Sequence, residues 1–379
     1  MTAYLDNAAT TRVSPAAAQA ALEVMTQDFG NPSARYPLGA GAAKRLKEDR
    51  ERVARALGCE TRELYFTSCG TEGDNWAIQA ALWKNRRVGK HIITTAIEHS
   101  AILEPCKRLE QQGYEVTYLP PNREGGVNLS DLEQALRPDT VLVSMMLVNN
   151  ELGTVLPVKE AVRLTRRLAP QALFHTDAVQ GFLKVPFTPK GLGVDLLTIS
   201  GHKIHAPKGI GTLYVRSGLQ IQPMILGGGQ ESGMRSGTEP TAQIAALAAA
   251  CAEGKANFAR DAAHMAQLKD DTLEQLALRV PEAERIGNGT APHILALTLP
   301  GYKAEVLVRA LGDMGICVSA GSACHRGKPS HVYAAMGLDK ARREGSFRVS
   351  FSGDTTRQEV DAFVEGLVKA RDMLFTSMS

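Results

Sequence analysis

No stretch of eighteen apolar residues occurs in this chain, so nothing in it is suited to span a bilayer as a helix. Neither sign of charge dominates. Lys and Arg number 43 against 40 Asp and Glu, a net charge of +3. That is too small to argue for nucleic acid or an anionic membrane as a partner. The start, MTAYLDNAATTR, has no basic opening and no apolar core of the secretory kind, so the cytosol is the expected compartment. Six cysteines, at 59, 69, 106, 251, 317 and 324, include no CxxC pair, and no HxxxH or HExxH helix accompanies them. This argues against a zinc site and a disulfide framework, and most of the thiols read as inert core residues. No GxGxxG follows the first strand of a βαβ unit, which removes the dinucleotide-binding signature. Repeats are absent.

What is present is an ordinary globular balance, 44% apolar and 22% charged, over 379 residues. Such a length accommodates two or three domains. Apolar strand-like runs at 64–67, 91–96, 115–119, 141–147, 172–176, 196–199 and 212–215 alternate with helical stretches at 72–85, 100–112, 129–137 and 157–168. That alternation predicts an α/β fold with a mostly parallel sheet of seven strands flanked by helices. A glycine-rich segment, 226–240, then leads to an Ala-rich helix over 240–255. Strands near 293–299, 316–319 and 346–351 and a closing helix near 356–374 predict a smaller α+β unit. The expected division is a large domain over 16–255 and a small one over 1–15 and 256–379.

Ligands of such sheets bind beyond the carboxyl ends of the strands. After 64–67 comes Ser68-Cys69-Gly70-Thr71-Glu72, which reads either as a helix start for a phosphate or as a plain N-cap with Ser68 or Thr71 as cap. After 91–96 comes His99, after 141–147 the turn-like Asn149-Asn150-Glu151-Leu152-Gly153, and after 172–174 Asp177, a strand-end carboxylate that needs a partner. After 196–199 come Ser200, His202 and Lys203, a lysine between two apolar runs. A sequestered lysine can lose its proton and attack an aldehyde. An aspartate can keep a pyridine nitrogen protonated, and a Gly-Thr helix start with Ser200 and His202 can grip a phosphate. Aldehyde, ring nitrogen and phosphate are the three handles of pyridoxal 5′-phosphate.

With these residues in view, the chain resembles the cysteine desulfurases of the NifS/IscS type, in the class V aminotransferase group of fold-type I pyridoxal-phosphate enzymes. The resemblance rests on YLDNAATT (4–11), FGNPSARYPLG (29–39), FTSCGTEGDN (66–75), EHS (98–100), NNELGT (149–154), HTDAVQ (175–180), SGHKIHAPKG (200–209), RSGTEP (235–240), SAGSAC (319–324) and SFRVSF (346–351). It implies Lys203 as the lysine bound to the cofactor aldehyde, Asp177 at the ring nitrogen and Gln180 at the ring oxygen. His99 would stack on the ring and move protons. Gly70, Thr71, Ser200 and His202 would hold the phosphate, joined by Thr238 from a neighbouring subunit, which implies a homodimer with shared active sites. Asn150 and Arg348 would take the substrate carboxylate. Cys324, followed by His325, Arg326 and Lys328, would be the thiolate that receives sulfur from L-cysteine as a persulfide, releasing L-alanine. A sulfur-acceptor protein, such as an iron–sulfur scaffold, is the implied partner. Cys69 is expected to be passive and Cys317 to pack in the core.

Two departures stand out: Tyr36 replaces a histidine common in the family, near the expected entrance to the site, and the segment after Cys324 is about two residues short. Selenocysteine lyase and cysteine-sulfinate desulfinase share the scaffold, and a regulatory or scaffold protein retaining the fold without catalysis is the non-enzyme reading.

Overall fold

The computed structural model describes residues 2–321 and 330–374. Cys324 therefore lies outside the described residues. The largest sheet has seven strands among these, in the order Leu64–Thr67, Gly211–Val215, Leu196–Ser200, Leu173–Asp177, Thr140–Ser144, His91–Thr95 and Glu115–Leu119. Gly211–Val215 runs antiparallel to both of its neighbours, and the pairings from Leu196–Ser200 outward are all parallel. The seven expected strands are present, each within a few residues of its predicted bounds. Five of them are buried at every position. Helices cover both faces of such a sheet, so its strands read as continuous apolar or Thr-rich runs rather than alternating ones.

The smaller sheet joins Ser346–Ser350, Ile294–Thr298 and Glu284–Arg285 in antiparallel pairs. Beside it, Ala3–Tyr4 pairs in parallel with Ile316–Cys317. The first residues thus pack with the smaller unit. Ile316 is buried and Cys317 half-buried, because successive side chains of a strand point to opposite faces. The expectation that Cys317 packs in the core is corrected on that ground. Cys106 and Cys251 are buried as expected.

One helix differs much from its predicted extent. The stretch expected over 240–255 continues unbroken as Thr241–Arg279, 39 residues and about 58 Å long. Ile244–Cys251 sits in the core under the large sheet, whereas Met265, Leu268 and Leu276 sit in the core of the smaller one. Gly254 looks like a stop signal in sequence. In the structure it is a point of close approach: a Cβ there would lie 2.7 Å from Leu183 Cδ1. Two further helices, Pro15–Thr26 and Pro37–Leu57, precede the first strand of the large sheet and pack on this long helix.

The NNELGT stretch is a turn, as its residues suggest. The Asn149 side chain accepts from the backbone N–H groups of Glu151 and Leu152, at 2.9 and 2.8 Å, and donates to Ile97 O. Gly153 closes it with φ +71°, and a Cβ there would meet Ile294 Cβ at 2.8 Å and Ile294 O at 2.9 Å. The turn is therefore pressed against the smaller sheet. Gly153→Ala combines a left-handed backbone with a clash against a strand carbonyl, and a loss of about 2 kcal/mol is expected, read as a lowered urea midpoint.

Candidate active site

A cavity of about 320 Å³ opens at the carboxyl ends of the parallel strands. Its lining includes Gly70, Thr71, His99, Asn150, Asp177, Gln180, Ser200, His202, Lys203 and Arg348. Ten of the residues singled out in sequence, from six separate motifs, therefore face one space. Thr238 does not: it is exposed and absent from the lining. Tyr36, expected near the entrance, is 56% exposed and also absent from the lining.

Lys203 ends the short turn Gly201–Lys203 that follows strand Leu196–Ser200. It is half-buried, with its Nζ donating to the carbonyls of Ala8 and Ala9, at 2.7 and 2.8 Å. Those carbonyls belong to the YLDNAATT segment, so this motif is the cradle of the amine. Gln180 Nε2 donates to the same Ala8 carbonyl at 2.8 Å. Asp177, the last residue of its strand, accepts from Val179 N at 2.8 Å. Burial pushes its carboxyl up to about 6, against the pull of the Val179 N–H and of the Lys203 charge.

The helix Gly70–Lys84 begins at the cavity floor. Its N-cap, Cys69, makes no side-chain cap bond. The plain capping reading through Ser68 or Thr71 is not what forms; Ser68 instead gives its backbone N–H to Glu72. The first-turn amides and the positive dipole end thus remain available to an anion. Ser200 Oγ is buried there with no hydrogen-bond partner among the described residues. A Cβ on Gly70 would meet Val179 Cγ2 at 3.0 Å and Ser200 Cβ at 3.5 Å, so the backbone comes close to the cavity wall. Burial, then the Lys203 charge, pushes the His202 ring down to about 4, leaving it neutral. An orphaned hydroxyl, open helix amides and a neutral histidine fit a phosphate group.

His99 is both an N-cap and a wall of the cavity. Its Nδ1 accepts from Ala101 N at 3.1 Å, which places the proton of the neutral ring on Nε2. Arg348, 1% exposed, gives Nη1 to Asn150 O at 2.6 Å and Nη2 to Asp6 Oδ1 at 2.8 Å. Cys69 lines the cavity, close to the phosphate cradle as expected.

Sequence reasoning assigned no role to Asp6, Asp74, Glu98 or His175. Asp74 lines the cavity one helical turn after Gly70. Burial and then the Asp177 charge raise its carboxyl well above the ordinary range. Burial pushes the Glu98 carboxyl up to about 8, despite the Met146 N–H and the Thr95 hydroxyl. The same burial pushes His175 down to about 3, and its ring bonds Ser144 and Thr198 at 2.9 and 3.0 Å. At pH 7 Asp177 is mostly ionised and Glu98 mostly protonated. The spacing of Gly70 and Asp74 by four on one helix was the available signal for Asp74.

The raised carboxyl of Asp177 has a consequence for the protein without cofactor. A folded-state value above the unfolded one of about 4 gives stability that is full below pH 4 and lost as pH rises through 6. Asp177→Asn should therefore make the apoprotein more stable than the parent at pH 8, by up to about 3 kcal/mol, with the difference shrinking toward pH 4. Urea unfolding at the two pH values checks it.

Comparison with known proteins gives a consistent picture. The family model described as Aminotransferase class-V matches residues 3–363. A protein of Trichormus azollae named cysteine desulfurase is 43% identical over 366 residues, 96% of this chain and 91% of its own. One of Methanosarcina thermophila named cysteine desulfurase IscS is 42% identical, over 96% and 90%. A solved structure of a NifS-like protein superposes with a TM-score of 0.92 at 35% identity, covering 99% of this chain and 100% of that one. Another, SspA in complex with cysteine, gives 0.80 at 33% identity, covering 94% and 100%.

Proposed function

The chain belongs to the class-V aminotransferase family, and on that premise we propose that it is a cysteine desulfurase, converting L-cysteine to L-alanine and an enzyme-bound persulfide. The observation that carries the reading is the single cavity that gathers the Lys203 amine, the Asp177 carboxyl, an open helix start and the Arg348 guanidinium.

Pyridoxal phosphate is the cofactor these residues suit. Lys203 would hold its aldehyde carbon, Asp177 its ring nitrogen, Gln180 its ring oxygen, and Gly70, Thr71, Ser200 and His202 its phosphate. When bound, it supplies a sink for electrons released at the substrate Cα. The chain's own groups do the rest. Arg348, with Asn150, holds the substrate α-carboxylate by charge-assisted hydrogen bonds. Lys203, once its amine is released, takes the proton from Cα, and the Nε2–H of His99 serves as a second proton carrier. The Cys324 thiolate attacks the substrate sulfur. An S–S bond forms, the C–S bond breaks, and its electron pair stays with carbon. Protonation of that carbon gives the methyl group of L-alanine. The outer sulfur stays on Cys324 for transfer to an acceptor protein such as an iron–sulfur scaffold.

The assembly is read as a cytoplasmic homodimer, with Thr238 of the partner subunit completing each phosphate site. Exposure of Thr238, outside its own chain's cavity, supports this. So does the exposed apolar surface of Ile225 and Leu226, 42% and 82% exposed, on the neighbouring segment. The large domain is read as 16–255, with residues 1–15 and 256–379 forming the small domain that carries Cys324.

Mass spectrometry after exposure to L-cysteine should show one added sulfur on Cys324. Cys324→Ser should keep the absorbance of the bound cofactor yet lose the persulfide and alanine release, whereas Lys203→Ala should lose stable cofactor colour as well. Sulfide release by the serine variant at the parent rate would overturn the mechanism. Alanine release measured with selenocysteine and cysteine sulfinate separates the two related activities.

A further inference from the structure

Arg348 is already engaged in this structure. Nη1 serves the Asn150 carbonyl and Nη2 serves the Asp6 carboxylate. Its Nε is buried and has no partner among the described residues. A carboxylate that grips a guanidinium with two parallel bonds takes either the Nε/Nη2 edge or the Nη1/Nη2 edge. Both edges need Nη2, the nitrogen that Asp6 draws on. Asp6 is also fixed in place. Its backbone bridges to Ser350, two residues along the strand from Arg348, and its carbonyl accepts from Ala9 N at 3.0 Å. The Asp6 side chain is 20% exposed and that of Arg348 2%, so the pair is mostly withdrawn from water and its charges are felt strongly.

We propose that Asp6 is an affinity-setting residue that competes with the α-carboxylate of the amino-acid substrate and product for Arg348. The inference rests on the reading of Arg348 as the carboxylate site. Without an internal competitor, a buried arginine would hold L-alanine about as firmly as L-cysteine, since the two share the same carboxylate. Asp6 weakens both. It returns to Nη2 as the product leaves, so that the guanidinium is never left buried without an anion.

The sign of the effect separates competition from simple support. If Asp6 merely oriented Arg348, its removal would weaken carboxylate binding. Competition predicts the reverse. L-alanine is the probe, titrated into the cofactor-loaded enzyme and followed both by calorimetry and by the absorbance of the bound cofactor. Asp6→Asn should lower its dissociation constant by about tenfold and lower KM for L-cysteine in proportion. Asp6→Glu, which restores the charge, should return the dissociation constant toward the parent value. Unchanged or weaker L-alanine binding by the asparagine variant overturns the proposal, as does a glutamate variant that binds like the asparagine one. Asp6→Ser carries the same prediction should the asparagine variant fail to fold. Arg348→Gln is the control on the underlying reading. If it binds L-alanine as the parent does, Arg348 is not the carboxylate site and that reading fails. If it loses binding while Asp6→Asn gains none, the competition alone fails.

Discussion

The hydrogen bonds from Lys203 to the carbonyls of Ala8 and Ala9 join two parts of the chain almost 200 residues apart, and the site is organised around that join. A cationic amine at the end of a buried strand needs acceptors. The N-terminal segment offers it two carbonyls as acceptors, and the large sheet adds the nearby charge of Asp177. The same segment is stitched to the lysine turn by Thr11 N to His202 O and Ser14 N to His205 O, both at 2.9 Å. Its other end pairs with Ile316–Cys317 beside the smaller sheet. A dozen residues thus tie the amine of one unit to the guanidinium of the other, because Asp6 lies between the strand and the two carbonyls.

Beneath the cavity, a second constraint acts through charge. Asp74, Asp177 and Glu98 are all buried; the Asp177 charge raises the cost of ionising the other two, and that of Glu98 adds to the cost at Asp74. His175 cannot relieve them, since burial keeps it neutral and its two nitrogens are engaged by hydroxyl groups. At neutral pH the charge rests on Asp177, with Glu98 mostly protonated and Asp74 shifted in the same direction. Asp177 takes that charge because it alone has both a backbone N–H from Val179 and a nearby ammonium. A pyridine nitrogen beside it would then meet a fixed negative charge, without a second carboxylate to compete for its proton.

What was legible in the sequence was local. The buried strands could be read because burial on both faces leaves uninterrupted apolar runs, and residues such as His99, Asp177 and Lys203 because strand ends are where such sheets bind ligands; Gln180, Thr238 and Arg348 came only with the family resemblance. Several helices escaped, among them the two long ones before the large sheet, although their signals are local too: Ser14 before Pro15 is an N-cap with proline at the first position, and Gly58 takes the left-handed conformation after Leu57. The alternation of strands drew the reading past them. The long helix was cut short because nothing local marks its continuation past 255; Gly254 is accommodated inside it, where the Leu183 side chain leaves no room for a Cβ. Asp6 was hidden for a different reason. Its partner lies 342 residues away, and no spacing in one sequence encodes such a pair.

The described residues on either side of Cys324 carry one more constraint. Ser319 exchanges two backbone hydrogen bonds with Arg348, at 3.1 and 2.7 Å. Ser330, on the far side, caps the helix His331–Ala335, and His331 Nε2 bonds the carbonyl of Glu98, next to His99, at 2.9 Å. The motif that ends in Cys324 is therefore rooted on one flank at the residue assigned to the substrate carboxylate. On the other it is rooted beside the residue assigned to the cofactor ring. If Arg348 holds the substrate carboxylate as proposed, the described end at Ser319 starts from the strand that would select the amino acid.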